Sequence, residues 1–566
     1  MSKQNLLKGT LILTVANLIN RLLGLVNQAL VLRLMGSEGY GLFQLAIPIY
    51  LLLLILTTAG IPIAISKLVA EEHARGNFLK ARKVLHWSVL RLGLTGLVVA
   101  LGLALILPKL GNKVMVDPRA GWCLLVLLPS IPISAVSSAL RAYFQGIQNM
   151  TIPAAGQIIE QIVRVLTGLY LAARMSPWGI PLAAAGYASG IVFGEACGCL
   201  LLTIFYLREN NLSKFRTKYS PSQVPSAEPK SVQKPIQLQD SLFTKIWSIA
   251  GPVTFTRLTA VILLNVEAFL IPNQMLLLGY SRSESTAIYG LFTGVALTLI
   301  SIPSIFTTAI STNLLPAVSA AWVRKDWLWL KDRLSRILGY TVMAGLPVLV
   351  ILGIFPNEIS TLIFKVNGAA IPVRILAMGG IFLYLLQTTN GILLGLGKAK
   401  RVLANTFIFA LVRISGIYTL TSIGIMLQQG NGAFAQSSNP FLNLLEGQLV
   451  NLGLVTIFNN GLGVIALAYI ISFVIGAALN FIPLYRRFIA WNLSMNIIIP
   501  MMAAAGMGCL MLKIVDQIPK TILVTAPILV QVMVIGLFSY FILLIAGGSI
   551  KVGEVRKLLF SSAFRK

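Results

Sequence analysis

Tyr40-Gly41-Leu42-Phe43 returns as Tyr289-Gly290-Leu291-Phe292, 249 residues further along the chain, and the same spacing is kept well beyond these strings. Arg75 meets Arg324, Gly146 meets Gly395, and Val163-Arg164 meets Val412-Arg413 inside another apolar segment. A spacing held from Tyr40 to Arg164 marks a duplicated unit.

The residues around these matches are overwhelmingly apolar. The 566-residue chain is 57% hydrophobic and 11% charged, with a mean hydropathy of +0.84. A soluble core cannot hide that much apolar surface, so the composition specifies an all-α integral membrane protein. A span needs roughly 20 mainly apolar residues. About fourteen such segments are present, near 9–33, 42–67, 88–108, 121–143, 151–172, 181–206, 245–272, 286–313, 337–355, 373–395, 403–427, 463–484, 491–512 and 522–546. Lys3 and Lys8 ahead of the first segment resemble a signal peptide, but the segment runs past Arg21 with no small-residue cleavage pattern, as an uncleaved first span does.

Residues 208–244 are rich in Ser, Pro, Gln and Lys and read as a flexible cytoplasmic linker. Six spans precede it, so the two copies enter the membrane in the same direction, as parallel repeats. The expected organisation is an N-lobe over 1–207 (spans 1–6), the linker, a C-lobe over 245–487 (spans 7–12), two extra helices over 488–548, and a basic tail over 549–566. Residues 429–462 suggest an external loop with an amphipathic part. Trp322, Trp327 and Trp329 among Arg and Lys suit a helix lying in the membrane interface.

The formal charge of +28 raises a nucleic-acid reading, but the bases are scattered between hydrophobic segments, which suits membrane lipids instead. Arg75, Lys80, Arg82 and Lys83, then Arg324, Lys325, Lys331 and Arg333, then Lys398, Lys400 and Arg401, then Arg486 and Arg487 mark one face as the inner one. Both termini are expected on that cytoplasmic side. Cys123, Cys197, Cys199 and Cys509 sit in apolar runs and read as buried thiols; His73 and His86 have no companion ligands. No metal site is expected. No Walker A or aspartyl-phosphorylation motif is evident, so no nucleotide cofactor is expected either.

Charges inside the spans carry the functional signal. Arg21 lies mid-span with Asn17, Gly24 and Gln28 at helical spacing, and an Arg there costs at least about 3 kcal/mol on insertion scales unless it faces a cavity or a partner. Arg257 is its counterpart in the second copy, across a gap in the alignment. Lys67 and Arg141 lie near boundaries, where snorkelling is open to them. Glu160, one turn before Arg164, forms either a self-neutralising pair or part of a site. Arg413 repeats Arg164, with Phe409 where Glu160 would recur. Glu160, Glu195 and Glu267 are the acids of the spans. The resulting net-positive cavity favours an anion, phosphate above all, through bidentate Arg contacts. Arg21, Arg257, Lys67, Arg141, Arg164, Arg413, Asn17 and Gln28 are the candidate substrate-binding residues, and Glu160 and Glu267 the candidate coupling residues.

The run Ser37-Glu38-Gly39-Tyr40-Gly41-Leu42-Phe43, with Ala59-Gly60-Ile61-Pro62-Ile63-Ala64-Ile65-Ser66-Lys67-Leu68-Val69-Ala70-Glu71, resembles the polysaccharide transporter branch of the multidrug/oligosaccharidyl-lipid/polysaccharide exporter superfamily. Within that branch the likeness is to stage V sporulation protein B-like and lipid II flippase-like members. Arg141-Ala142-Tyr143-Phe144-Gln145-Gly146-Ile147-Gln148-Asn149-Met150 and Ile159-Glu160-Gln161-Ile162-Val163-Arg164 add to it. The likeness is strong over the first six spans, moderate over the next six and weak after about residue 488.

The resemblance implies a V-shaped fold of two six-helix lobes plus two further helices, in a bacterial cytoplasmic membrane. It also implies transfer of an undecaprenyl-diphosphate-type lipid-linked oligosaccharide from the inner to the outer leaflet by alternating access, alongside cell-wall synthesis machinery. Members rely on cationic residues in a central cavity, which by position points to Arg21 and Arg257. Coupling to membrane potential, H⁺ or Na⁺ stays open, as does the sugar. The alternative is a cation-coupled multidrug antiporter of related fold; that carrier needs an acidic site, and this chain is richer in buried bases. A membrane enzyme would need a convergent acid/base pair or a carboxylate cluster, which the scattered Glu residues do not offer.

Overall fold

The computed structural model describes residues 6–58, 60–219, 240–305, 307, 318–319, 321–429, 461–488, 494–518 and 526–549. Among them there is no strand, and eleven helices are long and apolar enough to cross a membrane, or twelve if a bent pair over Ala120–Leu127 and Ser130–Gly146 is one span. The fourteen expected segments differ from that set in two places. The first two fall in one run, Val15–Ala74, and the fifth lies on a helix outside the set that carries Gln157, Glu160, Gln161 and Arg164 through its middle. The protein is thus an all-α, multi-pass membrane protein.

Helix α1 (Leu6–Thr58) has 53 residues. At 1.5 Å per residue it is about 80 Å long, far more than the ~30 Å hydrocarbon core of a bilayer. Gly36 breaks it, at φ 68° and ψ −175°, a conformation essentially confined to glycine. The break is braced by the loop before α4 (Ala120–Leu127). There the Arg119 guanidinium donates to Glu38 at 2.7 Å and to Asp117 at 2.7 and 3.0 Å. Hydrogen bonding to the Asp117 carboxylate raises the Arg119 pKa above its ordinary value, so the guanidinium of this brace stays charged at any working pH. Asp117 is buried, and Arg119→Ala is expected to cost about 2 kcal/mol of stability, with Arg119→Lys in between; thermal unfolding in detergent checks the order.

The duplication is written into the backbone. At the turn between α2 (Ile61–Ala74) and α3 (Phe78–Val114), Gly76 and Asn77 donate to the carbonyls of His73 and Glu72. In the second copy Lys325 and Asp326 donate to Trp322 and Ala321, with Gly76 and Lys325 both at positive φ. Gln148 and Asn149, which donate to Gln145 and Phe144, are matched by Gly397 and Lys398, which donate to Leu394 and Leu393. Every one of these pairs is separated by the spacing of the sequence repeat.

By contact the chain divides into Met1–Phe269 and Leu270–Lys566, a division that falls inside α8 (Asp240–Leu277). The first unit holds α1 to α3, α4, α5 (Ser130–Gly146), α6 (Thr151–Met175), α7 (Ile180–Tyr219) and the start of α8, where Thr254 accepts from the Gly60 amide at 2.7 Å and Asn265 donates to the Pro48 carbonyl at 2.9 Å. Its core joins Ile65 and Val69 of α2, Leu85 and Leu92 of α3, Ala139 and Phe144 of α5 and Leu202 of α7. Helices α7 and α8 extend into the stretch read from composition as a linker; residues 220–239 lie outside the described ones.

The second unit continues through α9 (Arg282–Leu291), a π turn over Phe292–Ala296 and α10 (Leu297–Ser301), and most of 306–317 in the expected eighth span lies outside the described residues. Then come α11 (Trp327–Ile354), α12 (Pro356–Phe364), α13 (Ala370–Gly395), α14 (Ala399–Gln429), α15 (Gly461–Phe488), α16 (Ile499–Asp516) and α17 (Ala526–Ala546). Trp327 and Trp329 open α11 instead of forming a separate interfacial helix: Asp326 caps the Trp329 amide and the helix runs on into the span. Buried amides tie this unit together. Asn480 donates to Asn390 at 2.7 Å and accepts from Asn405 at 2.8 Å, satisfying polar groups that lipid cannot. Of the four thiols read as buried, Cys123 is buried, Cys197 and Cys199 are half-buried, and Cys509 is exposed on α16. The proposed loop at 430–460 and the tail at 550–566 lie outside the described residues.

Candidate functional site

Along α7, Gly186, Gly190, Gly194 and Gly198 recur every fourth residue and so share one face. That face lies against α6 at backbone distance. A Cβ on Gly190 would stand 2.6 Å from the Arg164 carbonyl oxygen and 2.7 Å from Gly168 Cα, and one on Gly194 would stand 2.7 Å from the Glu160 carbonyl oxygen. Apolar side chains gain nothing by leaving lipid for one another, so such close backbone packing is what holds membrane helices together. The approach brings Glu195 of α7 onto the turn of α6 that carries Glu160 and Arg164.

Four charges meet there. Arg141 of α5 donates through Nη2 to Glu160 Oε2 at 2.8 Å and to Glu195 Oε2 at 3.2 Å, and to the Ser137 hydroxyl at 2.8 Å. Arg164 donates to Glu160 Oε1 and lies 3.8 Å from Glu195 Oε1. Acids and bases alternate, each carboxylate touching both guanidinium groups, and both glutamates are only 8% exposed. Each charge buried alone would cost several kcal/mol; together they sum to zero.

Beside this quartet lies a cavity of about 370 Å³. Asn27, Phe43, Gln44 and Tyr50 of α1, Gln161 and Arg164 of α6, and Tyr187, Ile191 and Glu195 of α7 line it. Asn27 donates to the Tyr187 hydroxyl at 2.8 Å, and the Phe43 ring meets Tyr187 edge-on at 4.7 Å.

The sequence-derived candidates divide between places. Arg141, Glu160 and Arg164 come together in the quartet, neutralised by one another and by Glu195. Asn17 and Arg21 are exposed on α1, Gln28 is half-buried one turn beyond Gly24, Lys67 is exposed on α2, and Arg257 is exposed on α8, where Glu267 is buried. In the second unit Arg413 lies 4.6 Å over the Tyr469 ring and 5.7 Å from that of Phe409. The two copies therefore treat the repeated arginine differently: carboxylates surround it in the first and aromatic faces in the second. Glu195 as the fourth member, and Asn27, Tyr50 and Tyr187 in the cavity, were not among the expected site residues. The glycine run around Glu195 is the signal that would have found the first of them.

The chain was compared with known proteins. A family model described as polysaccharide biosynthesis protein matches residues 6–322. Stage V sporulation protein B of Bacillus subtilis (strain 168) is 33% identical over 429 residues, covering 75% of this chain and 80% of that protein. Lipid II flippase MurJ of the same organism is 25% identical over 467 residues, covering 78% of this chain and 81% of that one. A solved structure of lipid II flippase MurJ in an inward closed conformation superposes with a TM-score of 0.63 at 14% identity, over 98% of this chain and all of the other, so the two share a fold. With over half of the chain inside the matched model and a third of the aligned residues identical to a relative across most of its length, this protein belongs to the polysaccharide biosynthesis protein family.

Proposed function

We propose that the protein is a flippase for a lipid-linked saccharide, carrying a polyprenyl-diphosphate-linked headgroup of the undecaprenyl type from the inner to the outer leaflet of a bacterial cytoplasmic membrane. The observation that carries this reading is the likeness to a lipid II flippase across about four fifths of both chains. The placement of the charges supports it: Arg21, Lys67 and Arg257 are exposed on helices of the first unit. These exposed bases, Arg21 and Arg257 foremost, take the diphosphate, and Asn17 and Gln28 flank Arg21 on its face of α1.

The mechanism needs no covalent step. The headgroup enters from the cytoplasmic side, where both termini lie, the polyprenyl tail stays in lipid, and alternating access moves the headgroup outward toward the cell-wall machinery. Outward movement of two negative charges runs with an inside-negative potential, worth roughly 4.6 kcal/mol per 100 mV for full transfer. Membrane potential is thus a sufficient drive. An H⁺ or Na⁺ site at Glu160 or Glu267 is the other source of coupling.

Translocation of lipid II in proteoliposomes tests the reading. Wild type is expected to flip it above the level of empty vesicles, and an Arg21→Ala, Arg257→Ala double variant to lose that activity while remaining folded. Flipping undiminished in the double variant removes both arginines from the site; no flipping by folded wild type overturns lipid II as substrate.

A further inference from the structure

The diphosphate accounts for the exposed bases but leaves the cavity beside the quartet without a role, and its lining is unlike a cation or phosphate site. The two charges that line it, Arg164 and Glu195, belong to a quartet that sums to zero, so neither a cation nor an anion gains a net field there. Apart from Arg164 and Glu195, which belong to the quartet, what the walls offer is a neutral mixture: aromatic and aliphatic faces from Phe43, Tyr50, Tyr187 and Ile191, set among the amides of Asn27, Gln44 and Gln161.

Two polar groups at this wall are unused. Asn27 is 5% exposed, and one end of its amide bonds Tyr187 while the carbonyl end has no hydrogen-bond partner among the described residues. Arg164 Nε likewise has none, although its side chain keeps 27% of its surface accessible. Both residues line the cavity, and a buried acceptor or donor without a partner is costly.

Part of the lining is private to the first copy. Gln44, Tyr50 and Gln161 stand where the second copy, at the spacing of the repeat, has Thr293, Leu299 and Ala410, whereas Phe43 and Arg164 recur as Phe292 and Arg413. The duplicated fold therefore does not require the polar wall.

We infer that this cavity is a subsite for the uncharged saccharide of the headgroup, with sugar hydroxyl or amide groups bonding Asn27 and Arg164 and the C–H face of the ring lying on the aromatic wall. A saccharide combines donors, acceptors and apolar C–H faces without charge, which is what this wall complements. About 370 Å³ falls within the usual size of small-molecule pockets, roughly 300–1,000 Å³. The inference rests on the flippase reading, and it divides recognition between two places: exposed arginines hold the diphosphate and the first-copy cavity reads the sugar.

The test is binding of two lipids to the full-length protein in detergent: lipid II, and undecaprenyl diphosphate, which has the same anionic group and no sugar. Three variants approach the cavity from three helices: Asn27→Leu on α1, Gln161→Leu on α6, and Ile191→Trp, which fills it from α7. Each that remains monodisperse is expected to weaken lipid II about ten-fold, the loss of one or two hydrogen bonds, and to leave undecaprenyl diphosphate within about two-fold. Lipid II affinity unchanged in the folded variants overturns the subsite and leaves the cavity to water. An equal loss for both lipids also overturns it, because the cavity would then not be reading sugar. Wild type that binds neither lipid brings down the flippase reading itself, an outcome separate from the other two.

Discussion

Glu160→Ala is expected to lower the stability of the protein by about 3–5 kcal/mol, the range found when one partner of a buried ion pair is removed. Glu160 accepts from Arg141 on one oxygen and from Arg164 on the other, so its loss leaves two guanidinium groups against Glu195 alone. Arg164 is 3.8 Å from that carboxylate and cannot be fully satisfied without moving. The penalty belongs to the uncompensated charge more than to the lost contacts, and that distinction can be measured. The double variant Glu160→Ala, Arg164→Ala restores neutrality and should recover much of the loss, with Arg141 and Glu195 still paired at 3.2 Å. Thermal unfolding in detergent, followed by the fraction remaining monodisperse, reads both. A double variant no more stable than the single would show that packing, not charge balance, governs this corner of the fold.

The same quartet shows how far the sequence could be read. The duplication, the helical membrane architecture and the Glu160–Arg164 pair follow from spacing and composition alone, because period and local separation are properties of the chain. Arg141 is a different case. Its place near a span end leaves snorkelling open, and only the packing of α5 against α6 and α7 turns it inward to Glu160 and Glu195, 19 and 54 residues away. The break in α1 was bracketed between the first two segments, at 34–41, but that stretch holds Gly36, Gly39 and Gly41, and nothing in the sequence singles out Gly36. Arg21 and Arg257 were the expected central pair. The structure leaves both exposed on long helices, a placement that spacing and composition alone do not give.

Gly190→Val is expected to be more disruptive than its size suggests, costing about 3 kcal/mol or more. Its added Cβ would meet the Arg164 carbonyl oxygen at 2.6 Å and Gly168 Cα at 2.7 Å, and both are backbone atoms that no rotamer change can move. The two helices must separate. Separation does more than weaken van der Waals packing, since α7 carries Glu195 and Tyr187, and α6 carries Glu160, Gln161 and Arg164: the quartet and the cavity are both built across this contact. Gly102→Val is the matched control, a membrane-helix glycine whose Cβ would meet nothing within 4 Å. Gly156→Ala, which would meet only the Leu202 side chain at 3.4 Å, should fall between them and near the control. Comparing extraction yield and thermal midpoint across the three separates helix contact from the general effect of replacing glycine in a helix, which is favourable to the helix itself. A Gly190→Val protein as stable as the control would mean that α6 and α7 can part without loss, and the positioning of Glu195 would then have to come from the other neighbours of α7, which are α1, α4 and α5.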